Sequence, residues 1–183
     1  LPVQSKVLDV GCGSGPYVDA LSSQVTKIVG IDLSQSMIDK ARKLYPKCIF
    51  EQGNPDSLPF ATNSFTKIYC HSVFQYFKDN AYAEKAISEM LRVSSPGSII
   101  ILSDLMDEGK KDEYLLFRKT FSVAPQWTSS VEVPVSHLYY NKLFFEKLKS
   151  KFAKIKTVVV EDRTVRGYKN AKFRFDVIIR TND

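Results

Sequence analysis

Val7-Leu-Asp-Val-Gly-Cys-Gly-Ser-Gly-Pro16, followed by Ile28-Val-Gly-Ile-Asp32, is the stretch that decides the fold. A short apolar run enters a turn with glycines at 11, 13 and 15, and a second apolar run ends in the carboxylate of Asp32. Glycines in such a turn let the backbone approach a ligand and adopt positive φ. The helix expected next aims its unpaired N–H groups back over the turn. Pro16 suits the first position of that helix, where no N–H is needed. A carboxylate closing the second strand is placed to grip the two hydroxyls of a ribose. Together these features predict a nucleoside-containing cofactor laid across the carboxyl ends of parallel strands.

Spacing narrows the cofactor. A dinucleotide fingerprint requires G-x-G-x-x-G. Aligned on Gly11 and Gly13, its third glycine falls on Pro16. What stands here is Asp9-x-Gly11-x-Gly13-x-Gly15, which resembles motif I of the class I S-adenosylmethionine-dependent methyltransferases. The resemblance continues through Asp32, through Gly53-Asn-Pro-Asp-Ser-Leu-Pro-Phe60, and through Leu91-Arg-Val-Ser-Ser-Pro-Gly97 ahead of a strand. It is strongest with the small-molecule branch called the type 11 methyltransferase domain, and its four motifs fall in order over residues 7–104. The resemblance implies a doubly wound α/β fold, Rossmann-like, with a mostly parallel seven-stranded sheet and an antiparallel last strand. It also implies S-adenosylmethionine as cofactor and S-adenosylhomocysteine as product.

The same resemblance distributes roles. Asp9 would hold the cationic end of the methionine part, or else orient the amides of the turn. Gly11, Cys12, Gly13 and Gly15 would form the close-approach loop, Asp32 would bind the ribose, and Leu33 and Met37 would flank the adenine, although Met37 equally suits the core. The third motif departs from the usual Gly-Asp-Ala-Glu: Asn54 can accept through its amide oxygen, but Pro55 has no N–H to donate. The adenine contact is therefore weakened, or rebuilt from Asp56 or Ser57. After the fourth strand comes Cys70-His-Ser-Val-Phe-Gln-Tyr-Phe77. His71 is a cofactor-side candidate, and Gln75 and Tyr76 fall where the branch often places two histidines near the transferred methyl. The Asn/Asp-Pro-Pro-Tyr motif of adenine- and glutamine-methylating enzymes is missing here, which argues against those acceptors. Only Asp104, with His71 opposite, offers itself to a metal, so no metal site is expected. Tyr17, Tyr76 and His137 are the candidates for lining the reaction centre, with His137 the candidate base or acceptor-orienting group.

Periodicity supplies the rest of the order. Strands are expected at 6–10, 26–31, 49–50, 68–70 and 99–102, and helices at 15–24, from the N-cap Ser34 to Pro46, and over 79–93. Near the carboxyl end Phe173, Phe175, Val177 and Ile179 alternate with Lys172, Arg174, Asp176 and Arg180. That is a strand with one wet face, and with Thr157–Val160 it predicts a closing antiparallel hairpin. Residues 105–141 are long for a connection and concentrate Tyr114, Phe117, Phe121, Trp127, His137, Tyr139 and Tyr140. They read as a substrate-pocket or lid insertion within a single domain spanning 1–183, with Phe117 and Phe121 more naturally packed on the core.

Composition bounds the rest. The 183 residues suffice for one self-sufficient core. No apolar run reaches the roughly 20 residues of a membrane span. The three cysteines are not spaced for zinc or a redox pair and read as small buried groups, which favours the cytoplasm. The chain opens at Leu1, only a few residues before the first strand, whereas the family usually carries helical sequence there that covers the cofactor. A trimmed chain or an unusually open site follows. The net charge of +6 is uneven, with twelve Lys and Arg against five acids over residues 142–183. Such a surface attracts nucleic acid, anionic lipid or a phosphorylated substrate, or merely keeps the protein soluble. The expected partner is a small-molecule acceptor, an anionic one being compatible with that charge, in a monomer or homodimer. RNA methylation and a catalytically silent cofactor-binding partner subunit are the alternatives.

Overall fold

The computed structural model describes residues 4–120 and 137–183. The first half alternates strand and helix except between β3 and β4: β1 (Lys6–Val10), α1 (Pro16–Ser22), β2 (Lys27–Asp32), α2 (Gln35–Leu44), β3 (Ile49–Gln52), β4 (Phe65–His71), α3 (Asn80–Val93) and β5 (Ser94–Met106). The second half holds α4 (Lys111–Thr120), the short helices α5 (Lys142–Glu146) and α6 (Leu148–Lys151), and the hairpin of β6 (Ile155–Asp162) and β7 (Arg174–Thr181). The seven strands form one sheet in the order β3-β2-β1-β4-β5-β7-β6. Pairings from β3 to β5 are parallel, and β7 runs antiparallel to both β5 and β6. The expected doubly wound, mostly parallel sheet with an antiparallel last strand is therefore present.

Strand alternation sends neighbouring side chains to opposite faces, and the two faces carry separate cores. Val7 and Ile28 pack with Val18 of α1, Ile38 and Ala41 of α2, and Phe50. Leu8, Val10, Val29 and Ile31 join Ile68, Ile100, Val177 and the α3 residues Ala83, Ala86, Ile87 and Met90. Both helices start where the sequence supplies a cap. The Ser34 side chain accepts from Met37 N–H, and the Asp79 side chain accepts from Tyr82 N–H at 2.7 Å; each cap contributes about 1 kcal/mol. Because β1 is flanked by β2 on one side and β4 on the other, chain direction across the sheet reverses beside it. Ligands settle at such switch points, at the carboxyl ends of the strands.

β5 continues to Met106, so residues 105 and 106 belong to the sheet. Phe117 packs its ring 5.0 Å from that of Phe173, while Tyr140 is wholly buried and donates to the Phe74 carbonyl at 2.8 Å. Phe121 and Trp127 lie outside the described residues. One expectation is corrected. Alternation puts Arg174 on the face expected to be wet, yet it is 5% exposed. The phenol of Tyr114, in α4, covers it, and its guanidinium stands 4.7 Å from that ring. Alternation fixed which side of β7 Arg174 occupies; a helix distant in sequence decided whether that side was wet.

Candidate active site

The carboxyl ends of four strands open into a cleft of about 720 Å³. Its walls come from the ends of β1 (Gly11, Gly13), β2 (Asp32, Leu33), β3 (Gly53, Pro55) and β4 (Ser72, Tyr76). The glycine turn hangs from β2, since the Gly11 and Cys12 N–H groups both donate to the Ile31 carbonyl, at 2.7 and 3.0 Å. Gly13 has φ +54°, and a Cβ there would meet nothing within 4 Å, so that position faces the open cleft. Gly11 differs: a Cβ there would come within 2.2 Å of Val73 Cγ2. Gly15 caps α1 in the left-handed region, with Pro16 beginning the helix as its fixed φ suits.

Asp32 joins the two halves of this floor. Its Oδ2 accepts from Gly13 N–H and its Oδ1 from Ser34 N–H, both at 2.9 Å. A carboxylate offers about four lone-pair directions, so each oxygen keeps one for a further donor. Ser34 rather than Asp32 caps α2. Asp9 lies beneath the turn, 3% exposed, and its Oδ2 has no hydrogen-bond partner among the described residues. Burial first, then the charge of Asp32, raises its pKa to about 7. Gly13 N–H is held by Asp32, so the bond that would make Asp9 the organiser of that amide is absent. Cys12 is buried beside it, its thiol pushed up to about 12 by burial and by the two carboxylates.

The remaining candidates divide. Leu33 and Met37 line the cleft at 60% and 42% exposure, so Met37 belongs to the wall and not to the core. Pro55 lines it too, whereas the Asn54 side chain is exposed and its carbonyl accepts from Ser57 N–H at 3.2 Å. Burial first, then the neighbouring Asp56 carboxylate, raises the pKa of the Tyr82 phenol. Tyr76 stands at the cleft mouth with the His137 ring 5.5 Å away, edge to face. Tyr17, His71 and Tyr69 form a separate aromatic cluster. His71 stacks on Tyr69 and Tyr17 meets both edge-on, with Nδ1 of His71 buried and without a partner among the described residues.

Three features escaped the sequence reading. Ser72 lines the cleft at φ +57°, and its hydroxyl bonds Asp104, itself at φ +65°. Arg92 anchors the third motif: its guanidinium donates to the Phe60 and Leu58 carbonyls at 2.7 and 2.8 Å and to Glu89, which accepts from Leu58 N–H. Arg163 and Arg174 gather around Asp104. Only Asp104 carried a usable sequence signal, as an acid closing a buried strand.

Residues 8–102 match the sequence profile of the family described as the methyltransferase domain. The chain belongs to this family, the class I S-adenosylmethionine-dependent methyltransferases. It is 31% identical over 100 residues to a malonyl-[acyl-carrier protein] O-methyltransferase of Erwinia billingiae, covering 55% of this chain and 39% of that one. It is 32% identical over 120 residues to a demethylmenaquinone methyltransferase of Chlorobaculum parvum, covering 63% and 48%. The chain thus spans less than half the length of these relatives. Among solved structures, a methyltransferase of Methanosarcina mazei superposes with a TM-score of 0.72 at 21% identity, covering 100% of this chain and 94% of that one. That likeness concerns the fold.

S-adenosylmethionine is the family's cofactor, and the cleft residues fit it. Asp32 retains acceptor capacity where a ribose would lie and Gly13 leaves room for close approach, while behind the lining the unpartnered oxygen of buried Asp9 suits a cationic donor. Pro55 is the one departure, since it lines the cleft with no N–H to offer.

Proposed function

We propose that the protein transfers the methyl group of S-adenosylmethionine to an oxygen, nitrogen or carbon of a small-molecule acceptor. The observation that carries this reading is the bridge from Asp32 to Gly13 over the buried, unpartnered Asp9. When bound, the cofactor supplies an already activated methyl group, so the chain's task is alignment and exclusion of water. Asp32 and the glycine turn orient the nucleoside, Asp9 receives the cationic amino end, and Leu33 and Met37 supply apolar walls. Tyr76 lines the cleft and His137 packs against it, and in this reading the acceptor enters on that side. His137 takes the acceptor's proton if the nucleophile must lose one.

A small acceptor is favoured over RNA because the basic carboxyl third is largely engaged in internal contacts. Lys142, Lys151, Lys156 and Lys172 pair with acids, Lys154 donates to main-chain carbonyls, and Arg163 bonds Asp176. Among the described residues no helix is long and apolar enough to cross a membrane. We place the protein in the cytoplasm on its cysteine usage. Pro55 favours one second reading, a cofactor-binding partner subunit without turnover.

Calorimetry with S-adenosylmethionine and S-adenosylhomocysteine tests the site, and a metabolite extract incubated with labelled methyl donor tests the transfer. Binding of both nucleosides with label incorporated into a small molecule is expected. Absence of heat with either nucleoside would end the reading, and binding without incorporation would favour the partner subunit. Incorporation into RNA, with affinity falling steeply as salt rises, would replace the acceptor class.

A further inference from the structure

Gly53 and Pro55 bring the third motif into the cleft, and neither offers it a free N–H. Gly53 N–H donates to the Asp32 carbonyl at 3.0 Å, and proline has no N–H. The main-chain donors of the cleft floor are bonded within the protein as well. Gly11 N–H reaches the Ile31 carbonyl, while the Gly13 and Ser34 N–H groups are held by the Asp32 carboxylate. An adenine edge carries ring-nitrogen acceptors beside its amino donor. A wall without donors would leave those acceptors desolvated and unanswered, which costs binding.

The side chains leave one donor for that wall. Among those lining the cleft, the Ser34 hydroxyl shares a hydrogen bond with Ser36, and the Ser72 hydroxyl bonds Asp104. Tyr76 packs with His137. Lys78 also lines the cleft, and among the described residues no carboxylate pairs with its ammonium. That ammonium stands 5.6 Å from the centre of the Tyr82 ring, within the range at which an aromatic face attracts a cation. Tyr82 is itself fixed: its ring meets that of Phe77 edge-on at 4.9 Å, and its N–H donates to Asp79 at the start of α3. Asp56, the residue after Pro55, neighbours the Tyr82 hydroxyl, and burial together with that carboxylate keeps the phenol protonated. Lys78, Tyr82 and Asp56 thus run in a line from the end of β4 to the third motif, ending next to Pro55.

We infer that Lys78 donates to the purine ring of the cofactor in place of the amide that Pro55 lacks, with Tyr82 positioning its ammonium. The acceptor assigned to it is N1, because N1 lies on the purine edge farthest from the sugar, and the sugar belongs to Asp32. Hydrogen bonds from a charged donor are the stronger kind, so one ammonium compensates for a lost main-chain donor. This assignment rests on the methyltransferase reading, since that reading puts a purine in the cleft.

The test is calorimetry on the full chain with S-adenosylhomocysteine and with its 1-deaza analogue, in which a C–H replaces N1. The wild-type protein should bind the analogue about tenfold more weakly. Lys78→Met should bind S-adenosylhomocysteine about tenfold more weakly and the analogue as the wild type does, so that the preference vanishes. Lys78 is exposed, and its replacement should leave the melting temperature of the empty protein unchanged. Tyr82→Leu should narrow the preference, a readout that packing alone would not move. Equal binding of the two nucleosides by the wild type, or a preference surviving Lys78→Met, overturns the inference. So does unchanged S-adenosylhomocysteine affinity in Lys78→Met, which would leave the ammonium to an anionic acceptor. Failure of S-adenosylhomocysteine to bind the wild type is a different result, because it removes the methyltransferase reading first and this assignment with it.

Discussion

Asp32 Oδ2 accepts the backbone N–H of Gly13 at 2.9 Å, nineteen residues back in the chain. The acid proposed for the ribose is therefore also a tie across the cleft floor. Asp32→Ala removes charge-assisted bonds to ligand worth roughly 1.5–3 kcal/mol each, and it releases the glycine turn as well. S-adenosylhomocysteine affinity should fall about ten- to several-hundred-fold by calorimetry. Asp32→Asn keeps one acceptor oxygen and should lose less. Equal losses would mean that the side chain serves the loop alone.

Adjacent glycines in the turn should fail differently. A Cβ at Gly13 meets nothing within 4 Å, and only its φ of +54° opposes a side chain. Gly13→Ala should cost about 1–2 kcal/mol of stability yet remove most cofactor binding, because the methyl occupies space the nucleoside needs. At Gly11 the Cβ would stand 2.2 Å from Val73 Cγ2. Gly11→Ala should lower the melting temperature well beyond the Gly13 variant. Thermal melts with and without S-adenosylhomocysteine separate the two.

Asp9 ties binding to pH. Burial and Asp32 raise its carboxyl to about 7, so near neutrality the empty protein holds it partly protonated. A cationic ligand group needs it ionised. Affinity should then fall by up to about tenfold per pH unit below 7 and level off above. The stability sign is opposite. A carboxyl whose folded pKa exceeds its unfolded value costs the empty protein stability as pH rises from about 4 to 7. Asp9→Asn should therefore raise the melting temperature at pH 8 while flattening the pH dependence of S-adenosylhomocysteine binding. A melting temperature unchanged at pH 8 would show Asp9 to be ionised without cost.

Arg92 should matter to a site it does not line. Its bonds to the Leu58 and Phe60 carbonyls hold the third motif against α3, and hydrogen bonds to a charged group contribute about 1.5–3 kcal/mol before solvent screening. The side chain is 35% exposed, so the lower end applies. Arg92→Ala should destabilise the fold by roughly 1–2 kcal/mol and weaken nucleoside binding severalfold. Binding at full affinity would mean the loop is fixed by Pro55 and Pro59 alone.

Local chemistry explains how much of this could be read from the chain. The glycine turn, Asp32, Ser34 and the strand alternation are features of a few consecutive residues, and the sheet order follows from repeating them. The Asp104 cluster joins β5, β7 and the segment carrying Arg163, residues up to 72 apart, and no periodicity encodes that meeting. Arg174 shows the same limit, since its alternation read correctly as non-core while Tyr114 buried it. Asp9 was readable as an acid under the turn, but its lack of a partner depends on Asp32 having taken the Gly13 amide.

His137 offers the sharpest check on the chemistry. Its ring stands 5.5 Å from Tyr76 at the cleft mouth, and burial, aided by Arg174 and Arg118, lowers its pKa below the ordinary histidine value. The imidazole is thus neutral at pH 7 and able to accept a proton. With the acceptor found by labelled-methyl screening, single-turnover transfer by His137→Ala should fall about a hundredfold. The wild-type rate should hold near neutrality and drop only as acid protonates the ring below the usual histidine range. His137→Gln can orient an acceptor by hydrogen bonding but cannot take its proton. A base would be lost equally in both variants, whereas an orienting group would be partly restored by glutamine. A single-turnover rate unchanged in His137→Ala would remove the residue from the reaction centre.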